Sequence, residues 1–352
     1  MLFSRTKPVV GLDIGSSGVK AIELKRSGKN FKVTAIGVEP LPPDSIVDGA
    51  IIDAGVVTDA VRRLLQSPRF KAKDVVASLS GSSVIVKKIS LPVMTDADLA
   101  ESIHWEAEQY IPFDIQDVNL DYQILTPPAE RQGTMDVMLV AAKKDKIADY
   151  TGVVSAVGKS PVVVDVDAFA LQNAFEANYP EDHGKVVALV NAGASAININ
   201  LVSGGTSLFT RDVGIGGNTF TEAVQKELGL PFEGAEDAKR GLPVEGVRHE
   251  DVGPVLQAVM ENVLLEIERT FDFFKATAAS DHIDKVMVSG GTSLVEHFSG
   301  ALRERLGTEV DRFDPFRNVP IDAAALNGSN AADLGPMCAV AVGLALRKEG
   351  DR

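Results

Sequence analysis

Apolar residues cluster in two short runs, Val9–Gly15 and Gly18–Leu24, around Ser16 and Ser17, and a third run follows at Phe31–Val38. This pattern predicts an antiparallel meander of three strands. Beyond the Pro-rich stretch Pro40–Pro43, Val57, Val61, Leu64 and Leu65 recur at i, i+4, i+7 and i+8, the stripe of a helix packed on a sheet. The opening pattern then returns at an offset of 178 residues, near half of the 352-residue chain. Val9 aligns with Val187, Gly15 with Gly193, Ser17 with Ser195 and Val19 with Ile197, while Asp13 meets Asn191. An internally duplicated, two-lobed α/β fold is expected.

A block of different character, 80–160, interrupts the first half. Thr95 with Asp98 three residues on starts a helix through Tyr110, with Leu99, Ile103 and Tyr110 at helical spacing. Ile147, Tyr150, Val154 and Val157 mark a second helix, and strands are predicted at Ser83–Leu91, Asn119–Leu125 and Met135–Ala142. These elements describe an inserted α+β unit with its own sheet.

Charge narrows the function. With 35 basic and 49 acidic residues the net charge is -14, and such a field repels nucleic acid and anionic lipid. The single cysteine, Cys338, lies in an apolar run and reads as a small buried hydrophobe in a reducing compartment. The start of the chain meets Asp13 too early for a signal-peptide core, and the longest uncharged stretch, Val186–Thr210, contains three asparagines and several glycines, reading as strands and turns. The expected location is the cytoplasm, with no direct membrane insertion and any membrane contact made through partners.

Three Gly/Ser/Thr turns follow apolar strands: Asp13–Gly18, Asn191–Ser195, and Ser289–Ser293 after Lys285–Val288. Glycines admit phosphate oxygens close to backbone amides, hydroxyls add donors, and a carboxylate at a strand end holds a hydrated cation. One such turn is ordinary; three in register across a duplicated fold describe a cleft. A helical face with Glu236, Lys239 and Arg240 at i, i+3 and i+4 adds a carboxylate and two cations.

These residues carry a resemblance. Gly11–Ser17 resembles the first phosphate loop of the actin, hexokinase and sugar-kinase superfamily, Val190–Ser195 the second, and Val288–Ser293 the adenosine motif. Cys338–Leu346 with Gly343 is similar to the helix that closes the lobes. Within the superfamily, His104–Phe113, Asn119–Tyr122 and Glu266–Phe274 resemble the PilM family of type IV pilus assembly, with the division protein FtsA next. The resemblance implies an actin-like two-lobed fold with an FtsA-like inserted subdomain. Its first lobe would comprise 1–79, 161–183 and 336–352, its insertion 80–160, its second lobe 184–218 and 284–335, and a smaller subdomain 219–283.

It also implies ATP and Mg²⁺ as ligands. Asp13 would hold Mg²⁺ through water; Gly15, Ser16, Ser17 and Lys20 would meet the phosphates first, Gly193 and Ser195 second. Gly217, Gly290, Gly291 and Thr292 would face the nucleoside, with Glu236, Lys239 and Arg240 on ribose and adenine. Where the second loop normally begins with Asp, this chain has Asn191, which supplies no charge to hold the metal or base to orient water. Weak or absent ATPase activity is expected, with Asp13 and Asp212 the candidate catalytic carboxylates.

The implied role is that of an adaptor in the inner-membrane pilus platform. It would take the N-terminal cytoplasmic tail of PilN between first lobe and insertion, meet other platform proteins and self-associate, with Trp105, Tyr110 and Phe113 as candidate contacts. Two alternatives remain open on the residues: a small-molecule kinase, which Asn191 disfavours, and an FtsA-like filament-forming anchor, which the polar ending Arg347–Arg352 disfavours for want of an apolar face.

Overall fold

The computed structural model describes residues 7–28, 30–277, 282–326, 330–348 and 350. Most of the opening segment read for a signal peptide, residues 1–6, and residues 349, 351 and 352 of the C-terminal ending therefore lie outside the described residues.

The predicted meander forms as β1 (Val10–Gly15), β2 (Gly18–Ser27) and β3 (Asn30–Pro40), each antiparallel to the next. A two-residue hairpin, β4 (Ile46–Val47) and β5 (Ala50–Ile51), leads to helix α1 (Ala54–Leu65). Strands β6 (Asp74–Leu79) and β10 (Ser160–Val166) then extend the sheet in parallel, in the order β10-β6-β1-β2-β3. Between them lie β7 (Val84–Pro92), helix α2 (Asp96–Glu108), β8 (Val118–Ile124), β9 (Thr134–Lys143) and helix α3 (Lys144–Ala156).

The second half repeats this topology. Strands β11 (Val187–Ala192), β12 (Ile197–Ser203) and β13 (Thr206–Val213) are antiparallel in turn, and β14 (Lys285–Ser289) and β15 (Glu309–Arg312) add in parallel beyond β11. The order β13-β12-β11-β14-β15 matches the first sheet strand for strand. The duplication read from the offset of 178 is thus a duplication of fold.

Helices α4 (Asp167–Asn178) and α11 (Ala339–Leu346) lie between the two sheets, where Leu171 and Phe175 share a core with Ile22 and Leu24 of one sheet and Val187 and Leu189 of the other. Helix α11 crosses α4 so closely that a Cβ on Gly343 would overlap the Ala170 carbonyl. That contact explains the glycine within an otherwise aliphatic helix. Cys338 is buried beside it as a free thiol, pushed up to about 12 by burial, as its apolar neighbours led one to expect. Two one-turn helices, α9 (Ala323–Leu326) and α10 (Ala331–Leu334), precede it. The outer face of the second sheet is covered by α5 (Gly217–Leu228), α6 (Phe232–Lys239), α7 (His249–Thr277) and α8 (Phe298–Leu306).

In the insertion, β9 is central in a three-stranded antiparallel sheet ordered β7-β9-β8. Helix α2 starts with the expected capping box between Thr95 and Asp98 and packs Leu99, Ile103 and Ala107 onto that sheet. The second helix differs in its allegiance. Tyr150, Val153 and Val154 of α3 join Val57 and Val61 of α1 in the core of the first sheet, because the chain returns there to enter β10.

Candidate functional site

The hairpin turns of the two sheets meet across a cleft. Ser16 and Ser195, one from each turn and 179 residues apart, share a hydrogen bond of 2.7 Å between their Oγ atoms. Asp13 and Lys20 are cross-strand partners on β1 and β2, and their side chains pair at 3.3 Å with little exposure. Ser17 is exposed, and its carbonyl accepts from the Leu41 amide at 3.1 Å. At Gly15 an added Cβ would lie 2.8 Å from Lys20 Nζ, so a side chain there would displace the ammonium from its place beside Asp13.

The equivalent pair in the second sheet is neutral. Asn191 and Asn198 are again cross-strand partners, and Asn198 faces Asp212 on β13 while Asn191 faces Ser289 on β14. Hydrogen bonds run along this row: Asn191 Nδ2 donates to Asn198 Oδ1 at 3.2 Å, and Asn198 Nδ2 to Asp212 Oδ1 at 2.8 Å. The carboxylate has moved two strands over. Its other oxygen accepts the Gly81 amide at 2.7 Å, joining the second sheet to the turn that opens the insertion. Asp212 is therefore tied as an interlobe acceptor.

A third carboxylate escaped the sequence analysis. Asp167 opens α4 at the end of β10, accepts from Ser78 Oγ at 2.5 Å, and is pushed up to about 6 by burial and then by the negative charge of Asp13. The carboxylates of Asp13, Asp167 and Asp212 thus lie within electrostatic reach of one another, a setting that suits a cation. A carboxylate where a strand turns into a helix was the available signal. Its neighbour Asp165 is instead consumed by a two-pronged pair with Arg347 at 2.6 and 3.0 Å.

On the other side, Gly290 has φ +83, and a Cβ there would strike the Ala192 carbonyl; only glycine fits this conformation without strain. Gly291 is exposed at the following turn, and Thr292 Oγ1 donates to the Gly193 carbonyl at 2.7 Å, so the second and third turns are bonded together. Gly217 opens α5, where an added Cβ would sit 2.7 Å from Thr292 Oγ1. Lys239 is buried, its Nζ 2.5 Å from Glu236 Oε2, 2.9 Å from Thr221 Oγ1 and 3.3 Å from the Gly217 carbonyl, and burial lowers its proton affinity. It fastens α6 to the first turn of α5 and holds Glu236 in place. Arg240 caps the end of α6, exposed.

The three aromatic candidates of the insertion separate. Tyr110 and Phe113 are half-buried against its core, under Lys87 at 5.2 Å and Lys143 at 4.2 Å from their ring centroids. Trp105 is 73% exposed on the far side of α2. A cleft of about 600 Å³ lies within the insertion, lined by His104, Ile115, Gln116, Val118, Asn119, Leu120 and Lys144.

Two sheets of identical topology, facing one another through paired hairpin turns and closed by α4 and α11, define an actin-like ATPase fold. Within that class the chain belongs to the family of type IV pilus assembly protein PilM, which matches residues 11–349. A solved PilM-PilN type IV pilus biogenesis complex is 30% identical, with a TM-score of 0.85 over 96% of this chain and 98% of the other. The ethanolamine utilization protein EutJ from Carboxydothermus hydrogenoformans, 17% identical over 98% of this chain and 90% of its own, shares the fold at a TM-score of 0.57. MreB5 of Spiroplasma citri bound to AMPPNP, 14% identical over 96% of this chain and 95% of its own, shares it at 0.52. Among the described residues no helix is long and apolar enough to cross a membrane.

Proposed function

We propose that this protein is a nucleotide-binding adaptor of the type IV pilus inner-membrane platform, held at the membrane by a partner's cytoplasmic tail. The observation that carries the reading is likeness along almost the whole chain to a protein solved as a PilM-PilN complex. The nucleotide is ATP with Mg²⁺. Its phosphates take the donors of Ser16, Ser17, Ser195 and Lys20, and its nucleoside lies by Gly217, Glu236, Gly290, Gly291 and Thr292, with Lys239 positioning Glu236. Asp13 holds the hydrated cation, and the nearby carboxylate of Asp167 supports a cation there. This chain contributes binding and lobe positioning; Asn191 and the tied Asp212 offer no free base, so turnover is slow or absent.

The tail is the N-terminal cytoplasmic segment of a PilN-like protein, bound between the first lobe and the 80–160 insertion. Strand β8 is an edge of its sheet beside the cleft that the insertion itself forms from His104, Ile115 and Lys144, so an extended peptide gains backbone pairing plus an apolar anchor on half-buried Ile115. Titration of the full chain with that tail peptide tests the reading. Saturable binding is expected, weakened at least about tenfold when Asn119→Pro breaks the pairing edge. Folded wild-type protein without affinity for the tail would defeat the adaptor reading.

A further inference from the structure

Helix α2 presents an outward face that the nucleotide cleft and the tail groove leave unused. At 100° per residue, Leu99, Ile103 and Ala107 turn inward, and Trp105 stands on the opposite side with Asp98, Glu101 and Glu108 as its helical neighbours, all exposed. An indole in water with carboxylates around it is an unusual exposure for the most hydrophobic ring in the chain.

The charge around it is one-sided. From Ile89 to Glu130 the chain has nine carboxylates and no Lys or Arg. The cations placed around this unit are taken: Arg131 pairs with Asp96 at the start of α2, Lys87 lies over Tyr110 and Lys143 over Phe113, whereas Trp105 has no cation over its ring among the described residues. The insertion therefore satisfies its two weaker π faces internally and leaves the strongest one open, rimmed by negative charge.

We infer that the Trp105 face of α2 docks an arginine-bearing basic segment of a second partner protein, one guanidinium stacking on the indole and others pairing with Glu101 and Glu108. Arginine fits better than lysine because its planar head stacks on the ring while its donors still reach carboxylates. The net charge of -14 steers such a segment toward the molecule, and the acidic rim sets where it lands. The site lies on the opposite side of α2 from its sheet-facing stripe, and Glu101 and Glu108 stand between Trp105 and the groove-lining His104.

Trp105 is the only tryptophan, so its emission reports the site directly. The full-length protein is titrated with a peptide of repeated Arg-Gly-Ser and, separately, with its Glu-Gly-Ser counterpart. A saturable emission change is expected with the arginine peptide alone, weakening as salt rises. Glu101→Lys with Glu108→Lys should weaken it at least about tenfold, while the same charge change at exposed Glu222 and Glu227 of α5 should leave it within about twofold. No saturable change in wild-type protein, an equal response to the acidic peptide, or equal loss from both variant pairs would overturn the inference. So would a shift from dimer to monomer in sedimentation on Trp105→Ala, which would assign the face to a second copy of this chain.

Discussion

Asp13 and Asn191 occupy equivalent places in the two sheets, and their surroundings give them opposite electrostatics. Asp13 pairs with one ammonium, Lys20, while Asn191 is absorbed in a row of amides ending at Asp212. Asp13→Ala should abolish the Mg²⁺ dependence of ATP-analogue binding, read by titration with and without the metal; unchanged curves would remove Asp13 from the metal site. Asp167 yields a pH prediction. Its folded-state affinity for a proton is raised to about 6 from an ordinary 3.8, so between those values the folded chain holds a proton that the unfolded chain has released. Stability from this group is full below pH 4 and is lost as pH rises through 6. Asp167→Asn should therefore raise the melting temperature at pH 7.5, by at most about 3 kcal/mol in stability, and the gain should vanish near pH 4. A gain that is equal at both pH values would mean that the carboxylate carries no such strain.

Among the elements, the turn after β14 is the most constrained. The positive φ of Gly290 and the Ala192 carbonyl facing it mean that Gly290→Val strains the turn as well as blocking approach to it. Nucleotide affinity should fall at least about tenfold while circular dichroism stays near wild type; a folded variant with normal affinity would take the third turn out of the site. The insertion shows how far periodicity reaches. Its capping box and inward stripe were legible in Thr95, Asp98, Leu99 and Ile103, because capping and amphipathicity are local. Which core α3 joins was not, because Tyr150 and Val154 look the same to either sheet until the chain returns to β10.

For the whole molecule, the Ser16–Ser195 pair and the Gly81 amide on Asp212 are polar contacts across the cleft, beside the apolar core that α4 and α11 share with both sheets. ATP turnover by the purified protein should be slow, about 10²–10⁴-fold below an enzyme with a working base; rapid phosphate release abolished by Asp13→Ala would overturn this. The charged helix face was half legible in the same way. Glu236, Lys239 and Arg240 sit one turn apart in sequence, yet only tertiary packing buries Lys239 against Thr221 and leaves Arg240 at the rim.

The chain by itself determined the duplication, the three turns, the inserted sheet and the loss of a carboxylate at Asn191, since each depends on spacing along a strand or helix and on the chemistry of single residues. Tertiary structure alone decided that Asp167 enters the cleft, that Asp212 is held by Gly81, and that Trp105 faces water while Tyr110 and Phe113 are half-buried. Those outcomes follow from distances between residues far apart in sequence, as with Gly81 and Asp212, 131 positions apart, and no local pattern encodes such a distance.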